Sequence, residues 1–410
     1  VEGFDHGRSL LARLDALAAF SDVPDTLTRL YLSPSYRQAA EQVRTWMEAA
    51  GMRAWIDPVG NVVGRYEGDR PGLPALWLGS HIDTVRSAGK YDGNLGVLAA
   101  IACVDELART GERLPFAIQV FAFGDEEGSR FPTTLSGSRA VAGEFDARTL
   151  DALDGNGVSL RQALIEFGGD PDAISAASYA PGDVLGYAEL HIEQGPVLEA
   201  EQLALGVVTA ISGSSRYIVE IIGVAGHAGT VPMGLRRDAL AAAAEMISAI
   251  ERQAQTTKGL VATVGRIEAS PGAANVIPGS ARFTIDIRAP DDATRRAGVA
   301  SITREIADIA QRRNLAITQK ATLDASACIC DGRMIDIFSA AVVRAGIHPR
   351  LLPSGAGHDA MALVRLCPVG MLFVRCKGGI SHNPLESITV EDADVAFRVF
   401  LDFIRSFALA

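Results

Sequence analysis

Apolar and polar positions change period several times along the chain, and the changes mark two kinds of architecture. Residues 7–20 and 34–51 carry helical spacing. In the second stretch Ser33-Pro34 starts the helix, Gly51 stops it, and Val43, Trp46 and Met47 share a face. Residues 52–66 alternate like an edge hairpin, with a turn at Asp57-Pro58-Val59-Gly60-Asn61. Residues 73–78, 116–123 and 185–191 are continuous apolar runs of strand length, and an Ala/Leu/Val-rich helix over 95–109 separates the first two. Apolar runs of this kind are buried on both faces, so they predict parallel pairing under covering helices. Residues 158–180 read as a helix and a variable loop.

Near residue 210 the pattern shifts to strict alternation. Residues 216–223, 260–268, 281–288 and 315–321 read as half-exposed strands, with helices over 237–255 and 291–313 between them. The order βαββαβ is that of a ferredoxin-like, split-βαβ module. The expected fold is therefore α/β: a mostly parallel-sheet catalytic domain of residues 1–209 and 326–410, with an inserted α+β domain over 210–325. The first domain resumes with a helix near 334–345, a strand near 347–352, a helix after Gly357-His358-Asp359, a strand over 369–376 and a closing helix over 390–408.

Several buried runs end in ionisable residues. Gly79-Ser80-His81-Ile82-Asp83-Thr84, Gly124-Asp125-Glu126-Glu127-Gly128 and Leu190-His191-Ile192-Glu193-Gln194-Gly195 follow apolar strands directly. Tyr91-Asp92-Gly93 lies in the loop after the first of them, and Ile380-Ser381-His382-Asn383-Pro384 follows the run at 369–376. An ionisable group at a buried strand end costs free energy unless a partner or metal takes it up, and an open parallel sheet binds ligands beyond the carboxyl ends of its strands. His81, Asp92, Glu127, His191 and His382 are the candidate metal ligands. Asp83, two residues after His81, is placed to accept the ring's other N–H and fix its tautomer. Glu126 and Glu127 face opposite ways in extended chain, so one can ligate while the other moves a proton. Three imidazoles with carboxylates and no thiolate suit Zn, Mn, Co or Ni, and two such ions about 3.5–4 Å apart bracket and acidify one water.

Composition narrows the partners. The chain has 410 residues, 48% hydrophobic and 21% charged, with a net charge of −11 and a pI near 5.2. It has no basic stripe, so neither nucleic acid nor an anionic membrane is an expected partner. No apolar run reaches the length that spans a bilayer. Five scattered cysteines predict reduced thiols and a cytoplasmic setting, and Cys328-Ile329-Cys330 lacks the second pair of a thiolate metal site. The opening residues show no basic-then-apolar signal segment, and a start on Val1 suggests trimming. His6 and His348 read as structural or solvent-facing.

These stretches, with Gly226-His227-Ala228-Gly229-Thr230-Val231-Pro232-Met233, Asn275-Val276-Ile277-Pro278 and Ser354-Gly355-Ala356-Gly357-His358-Asp359, resemble the dimetal amidohydrolases related to aminoacylase and the zinc carboxypeptidases. The likeness is closest to the hydantoinase/carbamoylase branch. The resemblance implies that His81, Asp92 and His191 hold one divalent ion and Asp92, Glu127 and His382 a second, Mn²⁺ or Zn²⁺, with Asp92 bridging. It makes Glu126 the general base and acid, supported by Asp83. His191 is discriminating, because the peptidase branches usually carry an acid there.

The resemblance also makes the inserted domain a lid that forms a homodimer. His227, Asn275 and Arg288 match substrate-contacting positions, and the resemblance allows the first two to come from the neighbouring subunit. Gln194 faces the substrate, and His358 is a second-rank substrate position; read from the residues alone, His358-Asp359 either positions a metal-site neighbour or caps the following helix. Taken without the resemblance, Arg288 either clamps a carboxylate or pairs with Asp286. The implied reaction is hydrolysis of a ureido (N-carbamoyl) C–N bond in a small carboxylate, allantoate first, releasing ammonia and carbon dioxide. An N-carbamoyl-L-amino acid, ureidoglycolate or a β-ureido acid is the alternative substrate, and dipeptidase or deacylase activity the next reading.

Overall fold

The computed structural model describes residues 5–407, so the readings that rest on the first four residues fall outside the described part. The chain divides into two compact units. One comprises Val1–Thr209, Cys330–Leu352 and Ala356–Ala410, and the other Ala210–Ile329 with Pro353–Gly355.

The first unit is built on a mixed sheet. Its strands are β1 (Arg53–Ile56), β2 (Val62–Tyr66), β3 (Ala75–His81), β4 (Ala117–Phe123), β5 (Val184–Ile192) and β6 (Leu205–Ile211), together with Val369–Val374. They lie in the order β1-β2-β4-β3-β5-(369–374)-β6. β4, β3, β5 and 369–374 are mutually parallel, and the pairs outside them are antiparallel. Every residue of β3 and β4 is buried, as expected for strands covered on both faces. β6 was not anticipated. Its apolar run from Leu205 sits just before the change of period at 210, where the sheet of the first unit in fact continues.

The helix Asn94–Thr110 crosses the carboxyl ends of β3 and β5 closely because Gly96 permits it. A Cβ there would lie 2.3 Å from the Leu190 carbonyl and 2.9 Å from the Ser80 side chain. Arg29 ties the same region together from behind. Fully buried, it donates to the Ile82 carbonyl at 2.7 Å, the Leu17 carbonyl at 2.8 Å and Asn94 Oδ1 at 2.5 Å. The Arg29 and Thr84 backbones are also joined, Thr84 N–H donating to the Arg29 carbonyl at 2.9 Å. Burial lowers the guanidinium to about 10, still charged at neutral pH.

The second unit has the strand order 267–270, 280–289, 213–222, 316–325, all antiparallel. The helices Ala239–Thr256 and Asp292–Arg312 cover one face, over Val219, Ile221, Phe283, Ile285 and Ile287. This is the split-βαβ arrangement. The strand expected over 260–268 is instead two, Val261–Thr263 and Ile267–Ser270, both pairing with Ser280–Ala289. Gly265 lies in the break between them.

All five cysteines are buried and none is in a disulfide among the described residues. Among the described residues no helix is long and apolar enough to cross a membrane. His6 stacks on Phe397 at 4.0 Å, and His348 is exposed. Replacing Arg29 with Ala orphans three buried acceptors next to the loop that carries Asp83. We expect a loss of roughly 3–5 kcal/mol in urea unfolding.

A candidate dimetal centre at the strand ends

The strand-end residues converge in the first unit around one carboxylate. Asp92 is buried, with Oδ1 3.4 Å from His81 Nε2 and 3.2 Å from His191 Nε2, and Oδ2 3.3 Å from His382 Nε2. His382 Nε2 also lies 3.5 Å from Glu127 Oε1. Two groups of donor atoms, each within 4.8 Å of one another, share Asp92: His81–Asp92–His191 and Asp92–Glu127–His382. Gly93 makes the approach possible. Its φ is +66°, and a Cβ there would strike the His81 ring at 2.5 Å.

The imidazole tautomers follow from their second contacts. His81 Nδ1 is 3.0 Å from the Asp83 carbonyl, and His191 Nδ1 is 2.9 Å from the Ile192 carbonyl. A carbonyl only accepts, so each Nδ1 carries hydrogen. In the neutral ring each Nε2 then aims a lone pair at Asp92 Oδ1, which is repulsive unless a proton or a cation lies between. Burial pushes His81 and His191 down in pKa. For His81 the charges of Glu126, Asp92 and Asp83 outweigh burial, and for His191 its contact with Asp92 does so. Both therefore end above the ordinary value. Asp92 mirrors them: burial raises it, but the three imidazoles hold it well below the usual carboxylate range. His382, partly exposed at the rim, is raised to about 9, first by its hydrogen bond to Asp92. The donors fit divalent cations in number, type and direction.

Glu126 and Glu127 leave β4 on a turn that begins at Asp125, whose φ of 64° is left-handed. Gln194 and His382 share that conformation, with φ of 56° and 54°. Strained backbone of this kind gathers at functional sites. The expectation for Asp83 is corrected here. Its backbone carbonyl, not its carboxylate, meets the His81 ring; the carboxylate lies 3.8 Å away. The carboxylate instead accepts the backbone N–H groups of Glu126 and Glu127, both at 3.2 Å, and so orients the turn. Burial raises Glu126 well above the ordinary carboxyl value; the His81 charge lowers it and the Glu127 charge raises it. Glu127 is pushed up to about 7 by burial and then by Asp92.

Other predicted residues fall as follows. Gln194 Nε2 donates to Asp92 Oδ2 at 2.7 Å, while its buried Oε1 has no hydrogen-bond partner among the described residues. Glu193, grouped with His191 in the sequence, instead caps the short helix Val197–Ala200 through its N–H groups. His358 is buried with its ring edge-on to His191 at 4.6 Å, and burial lowers its pKa well below the ordinary value. Asp359 makes no side-chain cap on the helix that follows. In the second unit, His227 and Asn275 are exposed and adjacent, because Val276 pairs with His227 and the Asn275 carbonyl accepts Ala228 N–H at 3.0 Å. Arg288 is engaged by Asp286 through two hydrogen bonds, at 2.8 and 2.9 Å.

Two site residues were missed. Glu386 Oε1 accepts Tyr91 and Asp92 N–H at 2.8 and 3.0 Å, fixing the loop that presents Asp92. Glu189 accepts Ser80 Oγ at 2.6 Å and Tyr187 OH at 3.1 Å, and its carboxylate lies within 4.8 Å of His191 and His358 donors. An acid inside a wholly apolar run was a legible signal for Glu189. Nothing local distinguished Glu386.

Residues 77–406 match the family model "Peptidase family M20/M25/M40". Allantoate deiminase 1 of Glycine max is 41% identical, over 97% of this chain and 88% of that protein. An N-carbamoyl-L-amino acid amidohydrolase of Geobacillus stearothermophilus is 39% identical, over 96% of each. A crystal structure of a hydantoinase/carbamoylase family amidase from Burkholderia multivorans superposes with a TM-score of 0.93 at 32% identity, over 98% of each chain. The chain belongs to the M20/M25/M40 peptidase family. Within it, the chain is a member of the hydantoinase/carbamoylase branch of amidohydrolases.

Because His81, His191 and His382 are raised above their ordinary values, metal binding at pH 7.5 must displace protons. We expect calorimetric titration with Mn²⁺ in buffers of different ionisation enthalpy to report net proton release. Affinity should climb with pH through about 9, where His382 is half deprotonated.

Proposed function

We propose that this chain hydrolyses the ureido C–N bond of a small carboxylate, allantoate first, releasing ammonia and carbon dioxide. The observation that carries the reading is the pairing of His81 and His191, lone pairs directed at Asp92, with a separate buried carboxyl at Glu126. His81 Nε2 lies 3.8 Å from Glu126 Oε2. Two divalent ions, Mn²⁺ or Zn²⁺, held by His81, Asp92, His191, Glu127 and His382 would supply Lewis-acid polarisation of the carbonyl and acidify water.

The chain's own groups do the remaining work. Glu126 accepts the proton of the attacking water and delivers it to the leaving nitrogen. Burial raises this carboxyl above the ordinary carboxylate range, so it holds a proton more readily than an exposed glutamate, as that exchange requires. Asp83 keeps the Glu126–Glu127 turn in place through two backbone N–H groups. Asp92 orients three imidazoles, and Gly93 N–H, 3.2 Å from His191 Nε2, helps seat that ring. In the second unit, Arg288 takes the substrate carboxylate and the adjacent His227 and Asn275 donate to the developing oxyanion. That unit also serves as the lid and the surface for a homodimer.

Allantoate is supported by the plant allantoate deiminases, at 41% identity for Glycine max. The N-carbamoyl-L-amino acid reading is supported almost equally, at 39% for Geobacillus stearothermophilus. A panel of allantoate, ureidoglycolate, N-carbamoyl-L-amino acids and N-carbamoyl-β-alanine, assayed for ammonia with Mn²⁺ or Zn²⁺, chooses between them. Fast release from dipeptides alone contradicts both. Glu126→Gln is expected to lower kcat by about 10³-fold or more while metal content stays at the wild-type level. Near-normal turnover in that variant removes Glu126 from its role.

A further inference from the structure

On the outer face of the second unit's sheet, opposite its helices, three charged side chains form one cluster. Asp286 on Ser280–Ala289 stands directly across from Arg216 on Gly213–Ile222 in the strand register. Its Oδ2 accepts Arg216 Nε at 2.8 Å and Arg288 Nη2 at 2.9 Å, and its Oδ1 accepts Arg288 Nε at 2.8 Å. Arg288 Nη1 donates in turn to the Gly355 carbonyl at 2.6 Å. These residues line a cavity of about 1160 Å³ together with Tyr217, Val261 and Thr284.

A guanidinium has five N–H groups. Three of those on Arg288 are committed, one each from Nε, Nη1 and Nη2. One N–H on Nη1 and one on Nη2 remain uncommitted by these bonds, and the Nη1–Nη2 edge of a guanidinium is one that can meet a carboxylate bidentately. Two guanidinium groups against one carboxylate leave a single net positive charge, which one substrate carboxylate neutralises.

We infer that Asp286 is a positioning residue for substrate selection: it grips Arg288 by the Nε–Nη2 edge so that the Nη1–Nη2 edge faces a monocarboxylate in the cavity, and Arg216 restores the positive charge that Asp286 cancels. This rests on the reading of Arg288 as the carboxylate-binding group. Asp286 is not a latch that the substrate must displace, because its bonds leave that second edge open. Burial raises the Asp286 carboxyl, but its bonds to Arg288 and Arg216 outweigh burial and keep it ionised.

The test compares the panel substrate that wild type hydrolyses fastest with its carboxamide, using the metal-loaded full chain. The quantity read is the preference for carboxylate over carboxamide in kcat/KM. Asp286→Asn, which keeps the shape, is expected to reduce that preference about tenfold, the worth of one charge-assisted hydrogen bond. Asp286→Glu is expected to recover part of it and serves as the variant of record if Asp286→Asn folds poorly. An unchanged preference, with both substrates slowed alike, makes Asp286 merely structural and overturns the inference. A raised preference makes it a competing latch and overturns it as well. Arg288→Gln separates the two levels. If Arg288→Gln abolishes the preference while Asp286→Asn leaves it intact, the inference fails and the Arg288 reading stands. If Arg288→Gln changes nothing, the reading fails and takes the inference with it.

Discussion

The structure turns on the shared carboxylate of Asp92. Three imidazole nitrogens face its two oxygens at 3.2–3.4 Å, and two of those rings are committed by backbone carbonyls to pointing lone pairs at it. Such an arrangement is tolerable only with positive charge in its middle. The surroundings are organised to maintain it: Glu386 holds the Asp92 backbone, Gly93 removes the Cβ that would strike His81, and Gly96 lets the next helix lie against the strand ends. The parallel sheet supplies the common edge from which β3, β4, β5 and 369–374 present the candidate ligands.

Much of this could be read in the sequence because the two signals are physically independent. Continuous apolar runs give the central strands, and polar residues that end such runs give the site. What was not legible depends on distant partners. β6 was missed because its apolar run abuts the alternating pattern of the second unit. The strand expected over 260–268 breaks at Gly265, a kink that propensity alone did not reveal. Asp83 was tied to the right neighbour through the wrong atom, since spacing cannot choose between a carboxylate and its own backbone carbonyl. Glu386 stabilises a loop nearly 300 residues earlier in the chain, and no local pattern encodes that.

The two units differ in how their charged groups are arranged. The first is built around charge that must be neutralised by cations, with Glu126 beside it as an elevated carboxyl. The second presents on its outer sheet face a cationic cluster already partly neutralised by its own aspartate. Donors suited to divalent cations and a guanidinium suited to a carboxylate are the features on which the proposed ureido reading draws. Family membership agrees with that description at the level of the hydantoinase/carbamoylase branch.

The central claim is that one carboxylate serves two cation sites, and Asp92→Asn tests it most directly when bound metal is counted per chain after equilibration with Mn²⁺. The account predicts two ions in the wild-type protein, one in His382→Ala, and loss from both sites at once in Asp92→Asn. Retention of one tightly held ion in Asp92→Asn, with the same affinity as in the wild-type protein, would contradict a shared ligand.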